Sequence, residues 1–465
     1  MHLFLRSNWR GRFVNPRVCP LFRRRFHKLT TLSKLPTLSP TLALQLFQVM
    51  RLGTAVLTGI LLAKSGLPTA EIGAWEMLLY LGTTLTFFWV NGLLQGIAPV
   101  YSKLGEEDRK AFVFNHFLLF CGIAAALFLL LFLGERWIAP ALTGMPEVPH
   151  FKLFALYLLL NLPTFPVEYF YLLQERPRSI VVWGVVSFGL QVVALFVPIQ
   201  MGYGLEGGIT ALVILSGLKF LWTAGLALRI GRIGFDKKIM VYYLVFCAPL
   251  LLSNVVSNLM LLFDNWLVGW HFGDPAVFAV YRYGAREFPL ATALVSALGV
   301  AMIPLLTNSP AAGLAELKIK SRQLMHWLFP LTIILLCISK PLFPIVFNPD
   351  FAASADLFNI YLLTLASRVL LPASIVLAKG DSRSIFWVSI VELCVKFVLG
   401  FVFLQTWGLP GLAFSVVLSF WVEKLGLIWV LEKRHGVKTG DWVDWKWYLG
   451  YGLALGAVFL AVTLF

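Results

Sequence analysis

Thirteen charged side chains stand inside long apolar runs: Arg51, Lys219, Arg282, Arg286, Arg368, Lys396 and Lys424 on the basic side, Glu76, Glu168, Asp264, Glu287, Glu392 and Glu423 on the acidic. A basic residue facing lipid costs about 3 kcal/mol, so seven would cost roughly 20 kcal/mol, more than the net stability of a folded protein. They must face protein or water. Arginine meets phosphate oxygens with a planar bidentate fork, and Arg282 and Arg286 lie one turn apart on one helical face, followed there by Pro289, Ala293 and Ser296. A carboxylate such as Asp264 or Glu76 could instead take a proton or sodium ion. Other charges only hold helices together. Glu392 and Lys396, at i and i+4 with the acid first, read as such a pair, and Glu423 with Lys424 lies near enough to a span end to snorkel.

The elements that must position these groups are membrane helices. Of 465 residues, 59% are hydrophobic and 13% charged, with a mean hydropathy of +0.81, where soluble proteins carry about 25% charge. Thirteen apolar runs bounded by Gly, Pro or charge follow one another between residues 41 and 465. They are about twice the length of barrel strands and apolar on all sides, so the fold class is all-α integral membrane. The formal charge of +15 would suggest nucleic acid in a soluble protein, but its distribution follows topology: the N-terminal segment and even-numbered loops hold 27 of the 38 Lys and Arg, the odd-numbered loops four. That bias predicts a cytoplasmic N-terminus and excludes nucleic acid as the partner. Residues 1–40 read as a basic cytoplasmic tail on anionic lipid; nine of the first 34 residues are basic, none is acidic, and no apolar run suits a secretory signal.

Comparison of the chain with itself returns one offset. Arg178-Ser179-Ile180 is matched by Arg383-Ser384-Ile385, Gly204-Leu205-Glu206-Gly207 by Gly408-Leu409-Pro410-Gly411, and Gly66-Leu67-Pro68 by Gly273-Asp274-Pro275, all at close to 205 residues. An even number of spans separates the copies. Two parallel six-helix lobes are therefore expected at 41–229 and 239–431, with a linker at 230–238 and an extra C-terminal helix in 432–465 led by Trp442, Trp445 and Trp447. Span one carries Gln45, Gln48, Arg51, Thr54 and Thr58; its equivalent, span seven, carries Asn254, Ser257, Asn258, Asp264 and Asn265. A polar stripe on one helix suits interhelical hydrogen bonding as well as a water-filled cavity; its recurrence on equivalent helices favours the cavity. Arg51 and Arg368, near the middle of spans in opposite lobes, are candidates for a central anion site with Arg286, Gln48 and Asn258. Glu76, Asp264 and Arg282 are candidates for a gate or for ion coupling. Glu76 and Arg282, 206 residues apart, should meet across the pseudo-two-fold axis.

Several patterns carry no chemistry. Gly202 through Gly207 spells GxGxxG but joins two membrane helices without a preceding strand, so it reads as a turn. His116 and His326 lack ligand-spaced partners, and Cys19, Cys121, Cys247, Cys337 and Cys394 have neither metal nor redox spacing. No GxxxxGK[ST] loop exists for ATP, and no cofactor or metal is expected beyond a possible coupling proton or sodium ion.

The segments Leu262-Phe263-Asp264-Asn265-Trp266-Leu267-Val268-Gly269, Phe278-Ala279-Val280-Tyr281-Arg282-Tyr283-Gly284, Ala63-Lys64-Ser65-Gly66 and Ile72-Gly73-Ala74 resemble the multidrug/oligosaccharidyl-lipid/polysaccharide (MOP) flippase superfamily, in its branch of lipid-linked O-antigen flippases. The likeness spans about 40–435; the arginine-rich second-span motif of peptidoglycan-precursor flippases is missing. The resemblance implies a MATE-like transporter fold in the bacterial cytoplasmic (inner) membrane, working as a monomer. It implies export of a polyprenyl-pyrophosphate-linked oligosaccharide by alternating access, for cell-surface polysaccharide assembly, with spans 1, 2, 7 and 8 lining a cationic cavity. The alternatives are a cation-coupled multidrug antiporter using Asp264 or Glu76 and, less suited to the short outer loops, a membrane-embedded glycosyltransferase or ligase. No enzyme is expected.

Overall fold

Apolar runs too long for strands and closed by Gly, Pro or charge have to satisfy their own backbone groups in lipid, and they do so as helices. The computed structural model describes residues 38–464, with the side chains at 253, 256–258, 260, 261 and 464 outside the description, and every regular element among the described residues is helical. Nearly all of the basic segment 1–40 lies outside the described residues.

The first lobe contains α1 (Pro40–Ala63), α2 (Thr69–Tyr101), α3 (Glu106–Thr143), α4 (Phe151–Asn161), α5 (Val167–Leu173), α6 (Pro177–Pro198) and α7 (Gly204–Ile230). The second contains α8 (Lys237–Phe272), α9 (Pro275–Gly284), α10 (Pro289–Asn308), α11 (Pro310–Val346), α12 (Ala352–Leu362), α13 (Thr364–Arg368), α14 (Pro372–Ala378) and α15 (Ser382–Arg434). Prolines interrupt three spans, so α4–α5, α9–α10 and α12–α14 each make one crossing. The chain is thus a multi-pass membrane protein of two parallel six-span lobes, followed by α16 (Trp445–Leu464), which packs on α11 through His326 Nδ1 and the Tyr451 hydroxyl, 2.9 Å apart.

Among the described residues ten helical stretches are long and apolar enough to cross a membrane, and two of them, 177–230 and 382–434, are far longer than a bilayer needs. Extended straight, the second would hold Ser384 and Arg434 about 75 Å apart. Instead Arg434 Nη1 donates to Ser384 Oγ at 2.9 Å. Beside that contact, hydrogen bonds from Ser384 and His435 pull the Asp381 carboxyl down to a pKa of about 2. Each long stretch is a hairpin. The bends fall at Gly204 (φ 60, ψ −166) and Gly408 (φ 64, ψ −146), a backbone region open in practice only to glycine. These are the glycines paired by the sequence repeat, so the two copies share a backbone conformation as well as letters.

The lobes meet along α2, which packs on α8 and α9. The approach of α2 to α9 is backbone on backbone: a Cβ on Gly73 would lie 1.7 Å from the Pro275 carbonyl oxygen.

Candidate functional site

The interruption of span eight sets the site. Helix α9 stops at Gly284, Pro289 opens α10, and Phe288 before that proline is extended (φ −66, ψ 107). Arg286 and Glu287 fall in the gap and line a cavity of about 1020 Å³ between the lobes. A second interruption, before Pro372, leaves Arg368 at the end of α13, also lining the cavity. The first lobe contributes Leu52, Val56, Trp75, Leu79, Gln191 and one charge, Glu76. All four lining cations, Arg282, Arg286, Arg368 and Lys396, come from the second lobe.

Most of these charges cancel in pairs. Arg282 Nε donates to Glu76 Oε2 at 3.2 Å. Arg368 clasps Glu287 bidentately at 2.9 and 2.6 Å, with its guanidinium 4.1 Å from the Phe420 ring centroid. Lys396 Nζ stands 2.8 Å from Asp264 Oδ1 and donates to Ser415 Oγ at 2.7 Å. Lys424 Nζ lies 2.8 Å from Glu423. Four of the five lining acids are thereby neutralised. Among the described residues Glu392, the fifth, has neither a hydrogen bond nor an ion pair, and Arg286 is the lining cation without a carboxylate. Arg286 Nε donates to the Arg282 carbonyl at 2.9 Å, and its guanidinium sits 5.4 Å from the Tyr283 ring centroid.

Of the site residues expected from the sequence, Arg286, Arg368, Glu76, Asp264 and Arg282 are brought together around the cavity. Glu76 and Arg282 meet as their offset requires. Arg51 and Gln48 are not part of the lining. Arg51 Nη2 donates to Glu168 Oε1 at 2.7 Å; Glu168 is 1% exposed, while the Arg51 side chain is 40% exposed. Lys219, which donates to Asn161 Oδ1 at 3.1 Å, belongs to the first lobe's interior. Gln48 is exposed on α1, and the side chain of Asn258 lies outside the described residues. The expected Glu392–Lys396 pair is corrected: Asp264 and Ser415, on facing segments, take all the contacts recorded for the ammonium, which is 2% exposed. Spacing along one helix says nothing of an acid on another. The Tyr281 and Tyr361 hydroxyls, 3.2 Å apart at the cavity wall, were not singled out as site residues in the sequence; tyrosines beside Arg282 and before the Pro372 interruption were the available signal.

One end of the cavity is closed. On the side of the odd-numbered connections, the lobes are tied by Glu76–Arg282, by the Tyr283 hydroxyl donating to Gly59 O at 2.8 Å, by Asn348 Nδ2 donating to Ala63 O at 2.8 Å, and by Thr69 Oγ1 donating to Asp350 Oδ2 at 2.7 Å. Towards the other end the seam runs along α2 and α8, where the Tyr243 hydroxyl donates to Leu93 O.

A family model described as lipid II flippase MurJ matches residues 179–465. No curated protein sequence matches the chain. Among solved structures, the lipid II flippase MurJ in an inward closed conformation superposes with a TM-score of 0.68 at 16% identity, covering 90% of this chain and 92% of that one. A variant of the Vibrio cholerae MATE transporter VcmN gives 0.53 at 15% identity over 85% and 97% of the two chains. A MOP superfamily transporter from Pyrococcus furiosus gives 0.51 at 14% identity over 90% and 95%. At these identities the likeness establishes the fold.

Proposed function

The chain belongs to the lipid II flippase MurJ family, and from that premise we propose that it moves a polyprenyl-pyrophosphate-linked saccharide between membrane leaflets by alternating access of its two lobes. It is a transporter of lipid-linked precursors and not an enzyme. The observation that carries the reading is Arg286: a guanidinium on an interrupted span, lining a membrane cavity, with no carboxylate among the described residues to neutralise it. Arg286 is the contact for the diphosphate, which its fork meets bidentately, while Arg368 stays clasped by Glu287 at the cavity wall and adds its charge at longer range. The wall of Leu52, Val56, Trp75 and Leu79 borders the lipid-proximal part of the cargo. Arg51 and Gln48, away from the lining, are left out of the binding role the sequence suggested.

The family match supports a peptidoglycan-precursor cargo ahead of the O-antigen-type unit. The charge bias supports a cytoplasmic N-terminus, with the tied end of the cavity facing outward from the bacterial inner membrane. Fluorescent lipid II and a fluorescent polyprenyl-pyrophosphate O-antigen unit, each presented to proteoliposomes, test the proposal. Wild type should translocate lipid II faster, Arg286→Lys should retain translocation, and Arg286→Gln should lose it. Full activity of the Gln variant would remove the diphosphate contact, and faster movement of the O-antigen unit would reverse the cargo.

A further inference from the structure

Glu392 is the acid that the ion pairs leave over. Its side chain lines the cavity while being only 5% exposed. The charged and titratable groups around it are committed elsewhere. Glu423, on the returning arm of α15, is held by Lys424; Arg368, on α13, is held by Glu287; Lys396, one turn further along its own arm, is held by Asp264 of α8. Helix α12 offers the Tyr361 hydroxyl, which is bonded to Tyr281, and α14 carries no titratable side chain. Among the described residues the cavity lining therefore has one uncompensated cation, Arg286, and one uncompensated acid, Glu392.

A diphosphate diester brings about two negative charges to this balance. An unpaired carboxylate in the same low-dielectric cavity then opposes binding, and a proton on that carboxylate removes the opposition. We propose that Glu392 is the cavity's proton-binding site, taking up one proton from solvent as the diphosphate head settles on Arg286 and releasing it when the head departs. Linkage makes the effect reciprocal: the anion promotes protonation and the proton promotes anion binding, by up to tenfold per pH unit while the carboxyl titrates. The inference rests on the Arg286 reading for its ligand but not for its proton.

The probe is a synthetic farnesyl pyrophosphoryl disaccharide, a diester whose own phosphates do not titrate between about pH 5 and 8. Calorimetry with the purified full chain, in buffers of different ionisation heat, counts the protons taken up. Wild type should bind close to one proton per probe and bind more tightly as pH falls. Glu392→Gln should take up none and bind with an affinity independent of pH. Equal proton uptake by the two proteins, or replacement of the proton by sodium in wild type, would overturn the assignment. Infrared difference spectra of the unliganded protein supply an independent readout. A protonated-carboxyl band that titrates in wild type and is missing from Glu392→Gln supports the site; no such band overturns it. Failure of the probe to bind wild type removes the Arg286 reading and the linkage, and the infrared titration then decides for Glu392 alone.

Discussion

Breaking the contact between Glu76 and Arg282 should open the tied end of the cavity. At 3.2 Å the two charges attract by about 5 kcal/mol at an effective dielectric constant near 20, and by about 1.3 kcal/mol once water fills the opened mouth. The difference, about 4 kcal/mol, favours the closed end. The Arg282 side chain is 27% exposed even in the closed pair, so solvent screening reduces the bias to roughly 2 kcal/mol, or about thirtyfold in the ratio of closed to open molecules. A cysteine introduced at Ala55 on the cavity wall, in a background cleared of native cysteines, reports opening through its labelling by an impermeant thiol reagent applied from the odd-loop side. Glu76→Gln and Arg282→Gln should each speed labelling about thirtyfold, within a factor of a few. The exchange of Glu76→Arg with Arg282→Glu should bring it back toward the wild-type rate. Unchanged labelling in both single variants, or a double exchange as open as Arg282→Glu alone, would falsify the gate.

Lys396→Met strands the Asp264 carboxylate in the second lobe and should cost about 3–5 kcal/mol; adding Asp264→Asn should recover most of that in a denaturant-unfolding cycle, whereas additive losses would show that the two charges do not act as a pair. Arg51→Ala should lower the thermal midpoint and the yield of folded protein by exposing Glu168 to the same penalty, with Glu168→Gln restoring both. Loss of translocation at full stability would return Arg51 to the cargo site. Reporter domains inserted beside Gly204 and Gly408 should both read as external, and opposite readings would remove the parallel arrangement of the lobes.

The helices were legible in the sequence because lipid leaves a run of apolar residues little conformational choice, and the glycine bends because repetition marked them. The encounter of Glu76 with Arg282 was legible for the same reason: a repeat supplies a symmetry axis, and an axis predicts which distant residues approach. Partner choice among buried charges was not. Glu392 and Lys396 share a face, yet Asp264 and Ser415 reach the ammonium from other segments, and nothing in the spacing ranks those competitors. Arg51 looked central because a mid-span arginine is expensive. It is expensive, and Glu168 offsets the cost within its own lobe. The prolines at 289 and 372 could have located the cavity from sequence, since each ends a helix inside the membrane and frees the preceding side chains to leave the helical face.

The hairpin of α15 has a further consequence, for how the chain enters the membrane during synthesis. Its bend at Gly408 is a single non-helical residue with no irregular loop between the arms, so the two arms are expected to pass into lipid as one hairpin. That hairpin carries Glu392, Lys396, Glu423 and Lys424, two charges of each sign. Each arm holds one acid and one base, so the hairpin enters lipid with no net charge in its apolar interior, and Lys396 meets Asp264 of the earlier-made α8 once the arms are in place.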